Sequence, residues 1–190
     1  MLEILKAKIR PFFARDFSKL YKEIKDPWHY NTSAYEKERF KEIIRLAKTV
    51  PYKNILEIGS AEGHLTKSLT DISGNVTCLE ISKDAISRAK QKAPKAKYIN
   101  ISFQNFDSRG QKFDLIVCSE VLYYFKNKRA AIFKMENMAD FILLSNFGLW
   151  DILFSFYFKK MALLKKSYVS SPKELKFAIL SLWGKIKTDD

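Results

Sequence analysis

Cysteine and histidine are scarce, two of each in 190 residues, and that excludes two classes of small domain. Cys78 and Cys118 both sit inside apolar runs. They read as buried thiols, not as a disulfide scaffold, and favour a reducing, cytoplasmic setting. Adding His29 and His64 still assembles no His/Cys metal site, so no metal is expected. Glycine (6) and proline (5) are few, and no repeat, low-complexity tract or linker divides the chain. Near the N-terminus Glu3, Lys6, Lys8 and Arg10 leave no apolar core for a signal peptide. The longest apolar run, "FILLSNFGLWDILFSFYF" at 141–158, is interrupted by Asn146, Gly148 and Asp151. It reads as a strand followed by a helix, not as a membrane span. That aromatic helix, with Trp150, Phe154 and Phe158 before Lys159 and Lys160, also suits a lipid surface or an apolar substrate.

What the chain does have is positive charge and strands alternating with helices. The net charge of +13 is spread along the sequence and not gathered in one arm. Its plain reading is a basic, soluble surface; its sharper reading is an anionic partner, RNA or a membrane surface. Helical spacing is expected at 12–25 (Phe13, Phe17, Leu20, Ile24) and from Ser33 to Pro51. Short apolar strands are expected at 54–59, 75–81, 97–102, 113–119 and 141–146, with helices opening at Glu62, Ser82 and Lys128. This alternation predicts one α/β domain, a Rossmann-like doubly wound and mostly parallel sheet with helices on both faces. Its ligand is expected at the carboxyl ends of the strands. In the tail, Ser171-Pro172 followed by Glu174 reads as a helix start, and "WGKIKT" at 183–188 as a possible last strand.

Four strand ends carry candidate chemistry. The first is Glu57-Ile-Gly59-Ser60-Ala61-Glu-Gly63. Gly59 supplies a permissive φ, and Gly63 lets helix and strand pack closely. The spacing is shorter than the dinucleotide fingerprint, which aims a helix N-terminus at a pyrophosphate. A short turn preceded by an acid suits a ligand with a sulfonium and an ammonium, whose charge Glu57 would compensate. The second end is Glu80-Ile81; an acid here can accept both hydroxyls of a ribose. At the third, Asp107 could accept an adenine amine with Phe106 against the ring, or be a plain polar loop residue. At the fourth, Ser119 and Glu120 would reach the reacting end of the ligand. Tyr123 and Tyr124 serve equally as packing or substrate contacts.

Together these motifs resemble the class I S-adenosylmethionine-dependent methyltransferases, over roughly residues 33–146. "DPWHYNTSAYEKERF" at 26–40 with "SEVLYYF" at 119–125 is similar to the nodulation protein S family, N-methyltransferases of partly deacetylated chitooligosaccharides. The resemblance implies S-adenosylmethionine as cofactor, and an amino sugar or oligosaccharide, a small-molecule acceptor, as substrate. It further implies that Tyr35 and Trp28 cover the cofactor and that Arg39 binds its methionine carboxylate. Residues 1–50 would cover the site, 51–146 would hold the cofactor, and 147–190 would add short helices and the possible last strand. The Pro-Gly-Gly turn of many relatives is replaced here by "MENMADFILL". No Asn/Asp-Pro-Pro-aromatic motif follows the fourth strand, which argues against adenine or glutamine amides as acceptors. No Pro-Cys pair offers a nucleophile for pyrimidines. Candidate bases are Glu120, then Tyr124, then His64, the last also readable as a helix-start residue. An RNA methyltransferase and a non-catalytic S-adenosylmethionine-binding module are the alternatives.

Overall fold

The computed structural model describes residues 16–148, 150–174 and 176–185. Phe13, the charged residues at 3–10 and residues 186–188 of the expected last strand lie outside them. Two helices come first, α1 (Phe17–Glu23) and α2 (Ala34–Ala47). Asp16 caps α1 by accepting from Lys19 N, and Ser33 caps α2 by accepting from Glu36 N. Then follow β1 (Asn54–Ile58), α3 (His64–Thr70), β2 (Asn75–Glu80), α4 (Lys83–Lys92), β3 (Lys97–Asn100) and β4 (Phe113–Ser119). The chain ends in α5 (Lys128–Met138), β5 (Ala139–Phe147), α6 (Trp150–Ser155), β6 (Met161–Ser171) and β7 (Lys176–Lys185). Among the described residues, no helix is long and apolar enough to cross a membrane.

Among the described residues, seven strands form one sheet in the order β3-β2-β1-β4-β5-β7-β6. The pairs from β3 to β5 are parallel, as the strand–helix alternation predicts; β7 runs antiparallel to both β5 and β6. Strand order reverses at β1, which lies between β2 and β4. This topological switch point opens a crevice at the strands' carboxyl ends. Period-two alternation sends one set of side chains to each face. Leu56, Ile58, Ile116, Ile142 and Leu144 pack with α5 and α6. Ile55, Cys78, Leu115, Val117 and Leu143 pack with α2 and α3.

The tail differs from the sequence expectation. Residues 161–185 are a long hairpin, with Leu175 outside the description, in place of short helices and one last strand. Ser171 Oγ accepts from Glu174 N at 3.3 Å, the bond a helix start would make, but only a single 3₁₀ turn, Pro172–Glu174, follows. Local capping chemistry is the same in both cases. Pairing of β7 with β5 and β6 decides the outcome.

The turn after β1 is shaped by left-handed residues: Gly59 (φ 76°), Ala61 (φ 48°) and Gly63 (φ 79°). A Cβ on Gly59 would lie 2.4 Å from Val121 Cγ2. A Cβ on Gly63 would lie 3.0 Å from Cα and Cβ of Ala89, so Gly63 admits helix α4 and not, as expected, a strand. Gly63→Ala combines this contact with an unfavourable φ. It is expected to lower stability by about 1–3 kcal/mol in denaturant titration; an unchanged midpoint would contradict the close approach.

Glu57 points to the α3 face. Its carboxylate accepts from Thr66 Oγ1 (2.5 Å) and Cys78 Sγ (3.4 Å). Burial pushes its carboxyl up from 4.5 to about 7, with Thr66 and Cys78 opposing. The folded state therefore holds this proton more tightly than the unfolded chain does. The stability this contributes is full below pH 4.5 and is lost as pH rises through about 7. Thermal melts of Glu57→Gln against the parent between those limits should diverge, the parent losing stability with pH and the variant less so. Parallel curves would refute the shift.

Candidate active site

A cavity of about 920 Å³ fills the switch-point crevice. The carboxyl ends of β1, β2 and β4 form its floor, through Gly59, Glu80 and Ser119. The segment between α1 and α2 covers it. There Asp26 accepts from Tyr30 N (2.7 Å) and Asn31 N (2.9 Å), and Asp26 and His29 take positive φ. This turn presents Trp28 and Tyr30 to the cavity. Trp28 Nε1 donates to Tyr21 Oη at 2.7 Å, fixing the cover to α1.

Glu80 is the anchor of the floor. Its Oε1 accepts from Ile81 N (2.8 Å) and Ser82 N (2.9 Å), and its Oε2 from Ala61 N (2.9 Å). Burial raises its pKa, and these amide bonds oppose the rise. Three of a carboxylate's roughly four acceptor positions are thus taken. The expected two-hydroxyl contact is narrowed to the open side of Oε2. Ala61, unusual among glycine-turn residues, donates the bond that ties the turn to β2.

Arg39 is 1% exposed. Its Nε and Nη2 donate to Glu36 Oε2 at 3.0 and 2.5 Å, and its Nη1 donates to Ser119 Oγ and to Ser145 Oγ (3.3 Å). Burial works against its charge, but Glu36 and Glu120 outweigh burial and raise its pKa. These bonds engage four of a guanidinium's five N–H groups.

Glu120 follows with φ 57°, a conformation that costs a non-glycine residue about 1–3 kcal/mol and clusters at functional sites. Its Oε2 accepts from Phe147 N (3.0 Å) and Tyr123 Oη (3.1 Å), and its Oε1 from Ser145 Oγ (3.3 Å). Burial raises its pKa, with Arg39 opposing. Tyr124 lies beside Tyr123, ring centroids 4.4 Å apart. Burial pushes its phenol up to about 12, with Tyr123 opposing, and the hydroxyl of Tyr35 is buried without a partner.

The fold therefore brings Tyr35, Arg39, Gly59, Ala61, Glu80, Ile81, Ser119, Glu120 and Tyr124 to one wall. It places Glu57, Ser60, His64, Phe106 and Asp107 off that wall. Glu57 is packed against α3, and the buried Ser60 Oγ has no partner. Phe106 belongs to the core below. Asp107 is exposed and accepts from Arg109 N at 2.8 Å; Ser102, Phe103 and Gln104 line the cavity in its stead. His64 Nε2 faces Asn31 Oδ1 (3.0 Å) and Lys92 Nζ, and its pKa is lowered by burial and then by Lys92. This environment suits structure more than proton transfer. Candidate metal-ligating atoms of Asp26, Glu62 and His64 do lie within 4.8 Å of one another, a grouping that counting only His and Cys cannot reveal. There, Arg88 Nε already stands 2.7 Å from Glu62, and Lys92 faces the imidazole.

Besides Tyr30, Ser102, Phe103 and Gln104, the lining residues that sequence reasoning missed come from the hairpin. Lys173, Glu174 and Lys176 line the cavity. Glu174 accepts from Ser33 Oγ (2.7 Å) and Tyr35 N (3.2 Å), and Lys176 Nζ lies 3.3 Å from Glu36 Oε1. The near-continuous apolar run "FAILSLW" signals a strand covered on both faces.

A model of the nodulation protein S (NodS) family matches residues 14–148. The chain is 32% identical over 129 residues to nodulation protein S of Sinorhizobium fredii, covering 65% of this chain and 59% of that one. It is 26% identical over 147 residues to nodulation protein S of Azorhizobium caulinodans, covering 74% and 69%. The chain thus spans 59% of the first relative's length, and 51% of that of the Bradyrhizobium diazoefficiens protein. The crystal structure of the N-methyltransferase NodS from Bradyrhizobium japonicum WM9 in complex with S-adenosyl-L-homocysteine superposes with a TM-score of 0.79 at 21% identity, over 90% of this chain and 98% of that one. The family model covers most of the chain and all the strand ends that form the cavity floor, and the chain belongs to the nodulation protein S family.

Proposed function

We propose that the chain is an S-adenosylmethionine-dependent N-methyltransferase acting on the free amine of an amino sugar or oligosaccharide. The observation that carries this reading is the cavity at the carboxyl ends of β1, β2 and β4, where the Gly59 turn and the Glu80 carboxylate meet. Family membership supports it.

The residues present fit the cofactor. The cavity holds a carboxylate with an open acceptor position, the buried Tyr35 hydroxyl without a partner and a guanidinium. Glu80 would take a ribose hydroxyl, with Ile81 and Phe103 beside the base. Arg39, with Ser119, would take the methionine carboxylate, exchanging its Ser119 bond for a charged one. S-adenosylmethionine supplies an electrophilic methyl group on a sulfonium.

The chain's own contribution is alignment and handling of one proton. Rings of Tyr30, Tyr124 and Trp28 on the wall exclude water and favour a cationic centre. Their phenols stay protonated: burial raises Tyr30, and it raises Tyr124 to about 12. These hydroxyls therefore donate and do not accept protons. Glu120 is the group on the wall suited to receive the proton an amine must lose. Burial raises its pKa above the usual carboxylate value, with Arg39 opposing, while Tyr123, Ser145 and Phe147 N hold it in place.

Glu80→Ala is expected to weaken S-adenosylmethionine binding by about 1–3 kcal/mol in calorimetry, with folding checked by thermal melt. Unchanged affinity would remove the ribose role. For the reaction, transfer of labelled methyl is expected to partly deacetylated chitooligosaccharides and not to their fully acetylated forms or to RNA. Glu120→Gln should lower the rate roughly 10²–10⁴-fold while cofactor affinity holds. Transfer to RNA alone, or tight cofactor binding with transfer to no amine, would overturn the acceptor reading.

A further inference from the structure

Helix α6 carries an apolar face on the wrong side. Asp151 and Phe154 point inward and are 1% exposed each. Asp151 Oδ1 accepts from Ser181 Oγ at 2.5 Å, so a carboxylate and an aromatic ring together anchor the inward side. One helical face away, Ile152 is 41% exposed, Leu153 53% and Phe156, just beyond the helix, 71%. An ordinary surface helix shows the reverse arrangement. A neighbouring exposed aromatic, Phe133 (53%), joins from α5. Two cation–ring contacts place α5 alongside: Lys128 Nζ lies 5.9 Å from the Trp150 ring, and Lys160 Nζ 5.0 Å from the Phe133 ring.

The charge in this part of the chain is one-sided. Residues 121–178 hold ten lysines and arginines against four acids. None of the four acids is left free: Glu136 and Asp151 are buried, Asp140 is paired with Lys185, and Glu174 with Lys176. Lys159 and Lys160 are exposed, three and four residues after Phe156. Their backbone N–H groups both donate to buried Glu136, at 2.8 and 2.6 Å. The buried acid thereby fixes the lysine pair next to the apolar face.

We infer that this face docks on an anionic phospholipid surface, with Ile152, Leu153 and Phe156 in the headgroup boundary and the lysines against the lipid charge. A second copy is a poorer occupant. A six-residue helix offers less than the roughly 800 Å² per partner of a stable interface, and a symmetric pair would bring the same lysines together. Nucleic acid would satisfy the lysines but leave the apolar side chains in water. The face adjoins the cavity, since the Trp150 ring lies 6.3 Å from that of Tyr123 on the cavity wall. Docking would hold the cavity beside the bilayer surface, where an acceptor bearing a lipid is presented. The docking is independent of the acceptor reading.

The test is flotation of the full chain with vesicles of phosphatidylcholine alone or mixed in equal parts with phosphatidylglycerol. Binding is expected only to the mixed vesicles and is expected to fall with salt. It should drop by about tenfold or more both in Leu153→Ser/Phe156→Ser and in Lys159→Glu/Lys160→Glu. Thermal melts of both variants check the fold; Phe156→Ser alone, at the most exposed position, serves if the first pair melts early. Absence of binding to mixed vesicles by the folded chain would overturn the inference. So would binding that both variants retain, or a concentration-dependent dimer in sedimentation that Phe156→Ser abolishes.

Discussion

A guanidinium buried at the centre of the molecule is the constraint on which the rest of the site depends. Taking an arginine out of water costs several kcal/mol unless its N–H groups find charged or polar partners. Arg39 finds them on three elements: Glu36 in its own helix, Ser119 at the end of β4 and Ser145 in β5. The docked position of helix α2 therefore depends on β4 and β5 being adjacent and in register, with Ser119 opposite Ser145. The same contact fixes Glu120, whose N–H donates to Ser145 O at 2.8 Å. Glu36 is further held by Lys176 of β7, which extends the network to the far hairpin. Cover, floor and tail are thus one electrostatic unit.

The cavity that results is rich in hydroxyls and poor in free charge. Its phenols are kept protonated by burial, and its carboxylates are committed to backbone amides or to Arg39. In the proposed reaction such a wall excludes water and stabilises a cation through ring faces and fixed dipoles, not through an opposing ion. The strained backbone at Glu120 fits this picture. A residue held against its preference at a strand end keeps its carboxylate aimed into the cavity, and the bonds from Phe147 N and Tyr123 offset the strain.

Much of the fold was legible because its signals are local. Alternation of short apolar strands with capped helices names a parallel sheet, and the chain's order of β1 to β5 then leaves few topologies. The position of Glu80 at the cavity was legible for the same reason, since it closes the strand after the glycine turn; its three bonds to backbone amides were not. The hairpin was not. Ser171-Pro172 followed by Glu174 makes the same short-range bonds in a turn as at a helix start, so only strand pairing across the sheet distinguishes them. Glu57 shows a similar limit. An acid in a buried strand marks something unusual, but period two allows it to face either layer. The register Glu57 to Cys78, with Thr66 above, directs it to the helices and away from the cavity.

Residue order alone carried the layer architecture, the switch-point turn, the place of Glu80 at a strand end and the family to which the chain belongs. Each of these rests on short local patterns, although the family resemblance combines two of them, at 26–40 and 119–125, that lie far apart in the chain. Only the tertiary structure decided that Phe103 and not Phe106 lines the cavity, that Arg39 is shared among three elements, and that a tail hairpin contributes Lys173, Glu174 and Lys176. It also turned the apolar face of α6 outward. These outcomes depend on contacts between residues far apart in the chain, where free energy is set by what the rest of the sheet leaves to be buried, and no local pattern carries that information.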